Sequence, residues 1–213
     1  MTSVPKISTH LLVSLLAVLA LATALSSTAS AANYTAGSYP TTATGESARG
    51  NDVFTTEGGK VECSSHYKGT LSAASSTLTV VPTYTNCRAF GFLEASVSMN
   101  GCDYLFKSPT GSSDSYTAAV AIKCTAPVGI IITAATCQVN LGEQSPTGSV
   151  AITNETAAGD IKVKANVTGI EYDVLQDGFG CPFSGTGLKT GGTYVQGNAV
   201  TFDSTNGAKV DVG

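Results

Sequence analysis

Six cysteines, Cys63, Cys87, Cys102, Cys124, Cys137 and Cys181, are the most reactive side chains in this chain of 213 residues. Thiolates bind metals and exchange disulfides, whereas paired thiols crosslink the chain. No CxxC pair occurs, so the spacing fits neither a zinc ribbon nor a thioredoxin-type redox motif. An even set of well-separated cysteines points instead to three disulfides and an oxidising compartment. The sequence leaves the connectivity open. Pairing between neighbours is the expectation: Cys63 with Cys87, Cys102 with Cys124, and Cys137 with Cys181. A hairpin around Gly111 would bring the middle two together, and the last pair would tie a glycine-rich loop to the core.

The other groups able to do chemistry are scattered. His66 is the one histidine outside the first 31 residues, which excludes an HExxH zinc site or a cage of several histidines. A serine nucleophile would need an elbow such as GxSxG, and none occurs. Glycoside hydrolysis needs two carboxyl groups across a sugar. Glu57, Glu62, Glu94, Glu143, Glu155, Glu171 and the eight aspartates supply candidates that spacing alone does not pair. Glu171, Asp173 and Asp177-Gly178 gather oxygen ligands but depart from the calcium-loop spacing, with Tyr172 and Val174 at strand positions. Tyr34, Tyr39, Tyr67, Tyr84, Tyr104, Tyr116, Tyr172 and Tyr194 could stack on a sugar in a chain without Trp. Of these, Tyr104, Tyr116 and Tyr172 fall on apolar strand faces. Three N-x-[ST] sequons begin at Asn33, Asn154 and Asn166. The sequence assigns no catalytic, cofactor-binding or metal residue.

The elements that must position these groups are strands. Low charge, abundant Thr and Ser, 23 Gly and the absence of helical periodicity mark an all-β composition. Val53–Thr56, Glu57-Gly58-Gly59 and Lys60–Cys63 read as a hairpin. Leu78 and Val80 share a face of the next strand, where Pro82 predicts an edge or a bulge. Leu93, Ala95, Val97 and Met99 alternate with polar residues, and parity flips at Asn100-Gly101 to Cys102, Tyr104 and Phe106, which predicts a β-bulge. Tyr116, Ala118, Val120, Ile122 and Cys124 form the return strand, followed by Ile130–Thr133 and by Cys137, Val139 and Leu141. Val150 and Ile152, then Ile161, Val163, Ala165 and Val167, continue the alternation, which flips again at Gly169. Gln176–Gly192 reads as a long loop, and Asn206-Gly207 as a hairpin turn between the last two strands. About eleven short strands with one-sided apolar faces predict an antiparallel, disulfide-stapled β-sandwich, with an irregular β-barrel as the alternative.

Residues 1–31 read as a signal peptide: Lys6, the apolar run Leu11–Leu25, and Ala29-Ser30-Ala31 before the expected cleavage. Residues 32–51 read as a flexible leader or a loosely attached first strand, and residues 52–213 as one all-β domain. Removing Lys6 from the 11 basic residues leaves 10 against 15 acidic, a net charge near −5. That balance speaks against nucleic acid, and no second apolar run is long enough to span a bilayer.

The strings PTYTNCRAFG, VSMNGCDYLF and IKC…TCQVNLGEQSPTG, with all six cysteines, resemble a family of small secreted β-rich proteins of actinobacteria. The resemblance covers Asp52 to the C-terminus and implies export and a disulfide-bearing β domain. It transfers no activity, cofactor or site residue. The sequence therefore predicts a secreted, non-enzymatic module with a binding, adhesion or envelope-associated role, for an unknown extracellular or cell-envelope ligand. The alternatives are a secreted hydrolase of glycans or peptides using a carboxylate pair, and a small extracellular inhibitor presenting the Gln176–Gly192 loop.

Overall fold

The computed structural model describes residues 30–155 and 160–213. The expected signal peptide lies outside these apart from Ser30 and Ala31. In chain order the strands are β1 (Ser30–Ala31), β2 (Tyr34–Ala36), β3 (Thr41–Thr56), β4 (Gly59–Leu71) and β5 (Thr77–Ala89). Next come β6 (Leu93–Ser98), β7 (Cys102–Ser112), β8 (Ser115–Cys124), β9 (Ile130–Ala134) and β10 (Cys137–Leu141). The last are β11 (Gln144–Glu155), β12 (Asp160–Asp177), β13 (Gly187–Gln196), β14 (Val200–Ser204) and β15 (Val210–Val212).

These strands close into an eight-position antiparallel barrel with an up-and-down order. Four positions are filled by single long strands, β3, β4, β5 and β12. The other four are filled by strands that follow one another in the chain: β6 then β7, β8 then β9, β10 then β11, and β13 then β14. Thus β5 pairs β7 through Thr77–Val80 and β6 through Cys87–Ala89. On the far side β12 pairs β11 and β10 along one edge, and β14 and β13 along the other. Pairing of β13 and β14 with β3 shuts the barrel. The architecture is therefore the barrel, the second of the two expected from sequence, and not the sandwich. Closure satisfies the strand edges that a sandwich leaves open.

The alternation read from sequence points into the barrel. Ile152 and Ile161 are wholly buried and Val150, Val163 and Val174 nearly so, each contributing roughly 1.5–3 kcal/mol by leaving water. Parity resets where expected. At Asn100 (φ 48°) and Gly101 (φ 74°) the chain turns between β6 and β7, and at Gly169 (φ 75°) β12 slips register against β13. Pro82 lies in the part of β5 between its pairings with β7 and β6, where a missing N–H costs no ladder bond on that edge.

Three sequence expectations change. Of the loop read over Gln176–Gly192, only residues 178–186 lie between strands, the ends belonging to β12 and β13. The back half of the expected leader, Thr41–Asn51, lies within β3, and Thr41–Ser47 is paired with β4. The turn at Asn206-Gly207 does not make a hairpin, because β15 pairs with β2. Thr41 donates its hydroxyl to Asn206 Oδ1 at 2.8 Å, and Thr205 N bonds Thr42 O, so the chain is led across the barrel end. There the β2–β15 ribbon acts as a floor: Tyr34, Val210 and Val212 are buried in the same core as Leu71, Phe106 and Ile161. Asn154 pins it, donating to Val212 O at 2.8 Å and accepting from Val212 N at 3.0 Å.

The disulfides are Cys63–Cys87, Cys102–Cys124 and Cys137–Cys181, the pairing expected between neighbours. Cys102 and Cys124 face each other directly across β7 and β8. Cys137–Cys181 ties the β12–β13 loop to the rim opposite the floor. Among the described residues no helix is long and apolar enough to cross a membrane.

Candidate functional site

The barrel interior holds a cavity of about 80 Å3 whose wall is apolar except for one belt of polar side chains. Val120, Ile122, Val163, Ala165 and Phe202 supply apolar wall; Asp52, Tyr67, Tyr84, Tyr104, Tyr194 and Gln196 supply the belt. A second, smaller cavity of about 20 Å3 shares Phe54, Val61 and Ile132 with the first and reaches the rim beneath Phe90 and Phe183.

A break in β3 puts Asp52 inside. Between Ser47 and Asp52 the strand carries three more residues than β4 opposite it, and an odd insertion reverses which face follows. Gly50, at φ 91°, takes the left-handed backbone that this loop requires. Asn51 anchors it, donating to Ser47 Oγ at 2.7 Å and to Asn198 O at 3.2 Å. Asp52 and Phe54 then face inward with Ala43, instead of outward.

Hydrogen bonds in the belt converge on Asp52. Tyr194 donates to Asp52 Oδ1 at 2.8 Å, and the Ser65 hydroxyl donates to Oδ2. Gln196 is fixed by accepting from Ala165 N at 2.8 Å, and its Nε2 donates to the Tyr67 hydroxyl at 3.4 Å. The Tyr67 and Tyr194 oxygens are 2.6 Å apart. Since the Tyr194 proton goes to Asp52, the proton between them is that of Tyr67. Tyr84 makes a long contact to Tyr194, 3.5 Å, and lies 2.9 Å from Tyr104, which by the same logic donates to it. Tyr67 also packs edge-on against Tyr84 and tilted against Phe202, with centroids 6.4 and 5.9 Å apart.

Burial dominates the acidity of these phenols. It holds Tyr67, Tyr84 and Tyr194 above their ordinary range, and it pushes Tyr104 up to about 12. The negative charge of Asp52 adds to the rise at Tyr67.

Apart from Asp52 and four of the tyrosines, the residues singled out by sequence lie elsewhere. His66 is exposed on the outer face of β4, opposite Glu46. Glu171 and Asp173 face outward from β12, and no three His, Cys, Asp or Glu gather as a metal site among the described residues. Several glutamates are outer-face ion pairs: Glu143 with Lys123 at 2.9 Å, Glu155 with Lys162 at 3.0 Å, and Glu57 with Lys189 at 3.4 Å. Asp160 and Asp203 do meet across β12 and β14. Partial burial, followed by the hydrogen bond to Asp203, raises the Asp160 carboxyl. This pair is not at the cavity, where Asp52 is the single carboxylate among the lining residues.

The tyrosine set also changes. Tyr34 and Tyr67 are buried, Tyr84 and Tyr194 line the interior with Tyr104, and Tyr39 is exposed. No sugar platform assembles from them on the surface. The β12–β13 loop exposes Phe179 fully but folds back at Cys181 and Phe183, where Ser184 donates to Glu57 Oε1 at 2.9 Å. Sequence reasoning missed the belt. Strand parity carried part of the signal, since Tyr84 alternates with Leu78 and Val80, and Ser65 and Tyr67 with Cys63. Nothing in the pattern placed Asp52 inside.

No protein-family model, no curated protein and no solved structure matches the chain.

Proposed function

We propose that this protein is a secreted, non-enzymatic binding module that holds a small, mostly apolar molecule inside its barrel. The observation that carries the reading is a polar belt set in an otherwise apolar cavity. Ligand sites combine apolar walls with a few convergent polar groups that fix orientation. The volume corresponds to roughly five to eight ordered waters, hence to a molecule of about as many non-hydrogen atoms. A single carboxylate at the cavity supports binding over glycoside hydrolysis, which needs two. Three disulfides support an extracellular setting, as does the resemblance to secreted actinobacterial β proteins.

Xenon tests the cavity without presuming a ligand, because it enters apolar protein cavities. Amide shifts on xenon pressurisation are expected at Val120, Ile122 and Val163, and Ala165→Leu, which fills the space, is expected to abolish them. Shifts confined to outward-facing residues, or unchanged by Ala165→Leu, refute the reading. Peptide mapping of exported protein is expected to give Ala32 as the first residue. That processing removes β1 and leaves Ala32 N on Pro109 O, 2.9 Å away.

A further inference from the structure

The belt supplies a negative charge and donors to it, but no positive charge. Asp52 keeps 2% of its surface, and both of its oxygens accept hydroxyl protons. An ionised carboxylate has about four acceptor positions, two more than these hydroxyls fill, and Asp52 lines the cavity. No Lys, Arg or His lines the cavity, and the ion pairs among the described residues all lie outside it. A buried carboxylate with only neutral donors is costly, and the cost is relieved when a cation reaches it. The surrounding groups suit that cation. Four phenol rings line the cavity, and aromatic rings attract ammonium groups. The rest of the wall accepts a hydrocarbon body.

We infer that the occupant is a small primary amine with an aliphatic or aromatic body, bound as its ammonium ion with Asp52 as counter-ion. This rests on the cavity reading proposed above and names the ligand class of that same site. The ammonium takes the open side of Asp52 beside Tyr194, and the body extends along Val120, Ile122 and Val163. A carboxylate whose two donors are neutral hydroxyls, with no Lys, Arg or His lining the cavity beside it, distinguishes an amine from a carboxylic acid, which Asp52 repels. The same carboxylate distinguishes an amine from a neutral alcohol, which donates to it but brings no positive charge to offset its own.

The test compares matched pairs on the purified, disulfide-intact protein: isoamylamine against isoamyl alcohol, and benzylamine against benzyl alcohol. Calorimetry gives affinity, and tyrosine fluorescence reports on the belt because the chain has no Trp. Each amine is expected to bind at least about tenfold more tightly than its alcohol. Asp52→Asn, which keeps the shape and removes the charge, is expected to weaken amine binding more than alcohol binding and so bring each pair within about threefold. Equal binding of amine and alcohol by the unaltered protein overturns the inference whether or not the variant folds, as does a preference that survives Asp52→Asn. If neither amine binds but xenon enters, the ligand class falls and the cavity reading stands. If xenon also fails to enter, both fall.

Discussion

Replacing Tyr194 by Phe removes one oxygen from the centre of the belt and leaves the ring in place. That oxygen is the donor to Asp52 Oδ1 at 2.8 Å and lies 2.6 Å from the Tyr67 hydroxyl. Its loss deprives a buried carboxylate of a charge-assisted hydrogen bond, worth about 1.5–3 kcal/mol, and takes the nearer oxygen away from the Tyr67 hydroxyl, at up to about 1–3 kcal/mol, with Ser65 still beside it. A water admitted to the cavity recovers part of this, so the expected loss is about 2–4 kcal/mol. At about 2–4 °C per kcal/mol for a domain of this size, Tm falls by roughly 5–15 °C. Urea unfolding without reductant measures it, with a lower midpoint and an unchanged slope. The control is Tyr39→Phe, at an exposed tyrosine whose hydroxyl accepts from Ala36 N at 2.8 Å, and it is expected to stay within about 0.5 kcal/mol. Combining Tyr194→Phe with Asp52→Asn is expected to be non-additive by about 0.5–3 kcal/mol, as for groups in one network. A Tyr194→Phe protein as stable as the Tyr39→Phe control would refute the hydrogen-bond assignment on which the belt depends.

Replacing Cys137 and Cys181 together by Ser opens a bridge across 44 residues, for which the chain-entropy account gives about 4 kcal/mol. Urea unfolding is expected to show a loss of about 2–4 kcal/mol, and hydrogen exchange to rise over residues 178–186 while the belt stays protected; an unchanged midpoint counts against this role. Burial raises the Tyr34, Tyr67, Tyr84, Tyr104 and Tyr194 phenols in the folded state. The unfolded chain therefore loses these protons first, so the contribution is fully present below pH about 10 and is lost as pH rises through the folded values. Spectrophotometric titration is expected to show these phenolates appearing late in native protein and together with the rest in urea; identical curves would exclude the buried belt. Asn154→Ala removes both bonds to Val212 and is expected to cost about 1–3 kcal/mol and to loosen β15 in hydrogen exchange. A glycan on Asn154 would break the same bonds, so peptide mapping of protein made in a glycosylating host is expected to find that sequon empty.

The strands were legible because alternation is local. Leu93, Ala95, Val97 and Met99 place one face of β6 without reference to any other strand, and a left-handed Asn100-Gly101 explains why the face changes before Cys102. The Glu57-Gly58 turn joining β3 to β4 was equally plain, since a short glycine-bearing loop between β-prone runs has few other solutions. The Asn206-Gly207 turn used the same signal and failed. Turn chemistry says that the chain reverses, not which partner β15 meets, and β2 at the other end of the sequence was the partner. Of the stretch read as a flexible leader or a loosely attached strand, Thr41–Ser47 has little apolar alternation of its own and is firmly strand because β4 runs alongside it.

By itself the sequence determined an all-β chain, its main strand faces and the six cysteines as a set, because side-chain period, turn residues and compartment chemistry are properties of short segments and composition. Tertiary structure alone decided that those faces enclose a barrel and not two stacked sheets, because both architectures demand the same one-sided alternation and differ only in whether β13 and β14 find β3. It alone decided the candidate site. Asp52, Ser65, Tyr67, Tyr84, Tyr104, Tyr194 and Gln196 are spread over five strands and most of the chain, and an odd insertion in β3 turns the carboxylate inward. A hydrogen-bonded belt is a relation between strands, and no spacing along one strand encodes it.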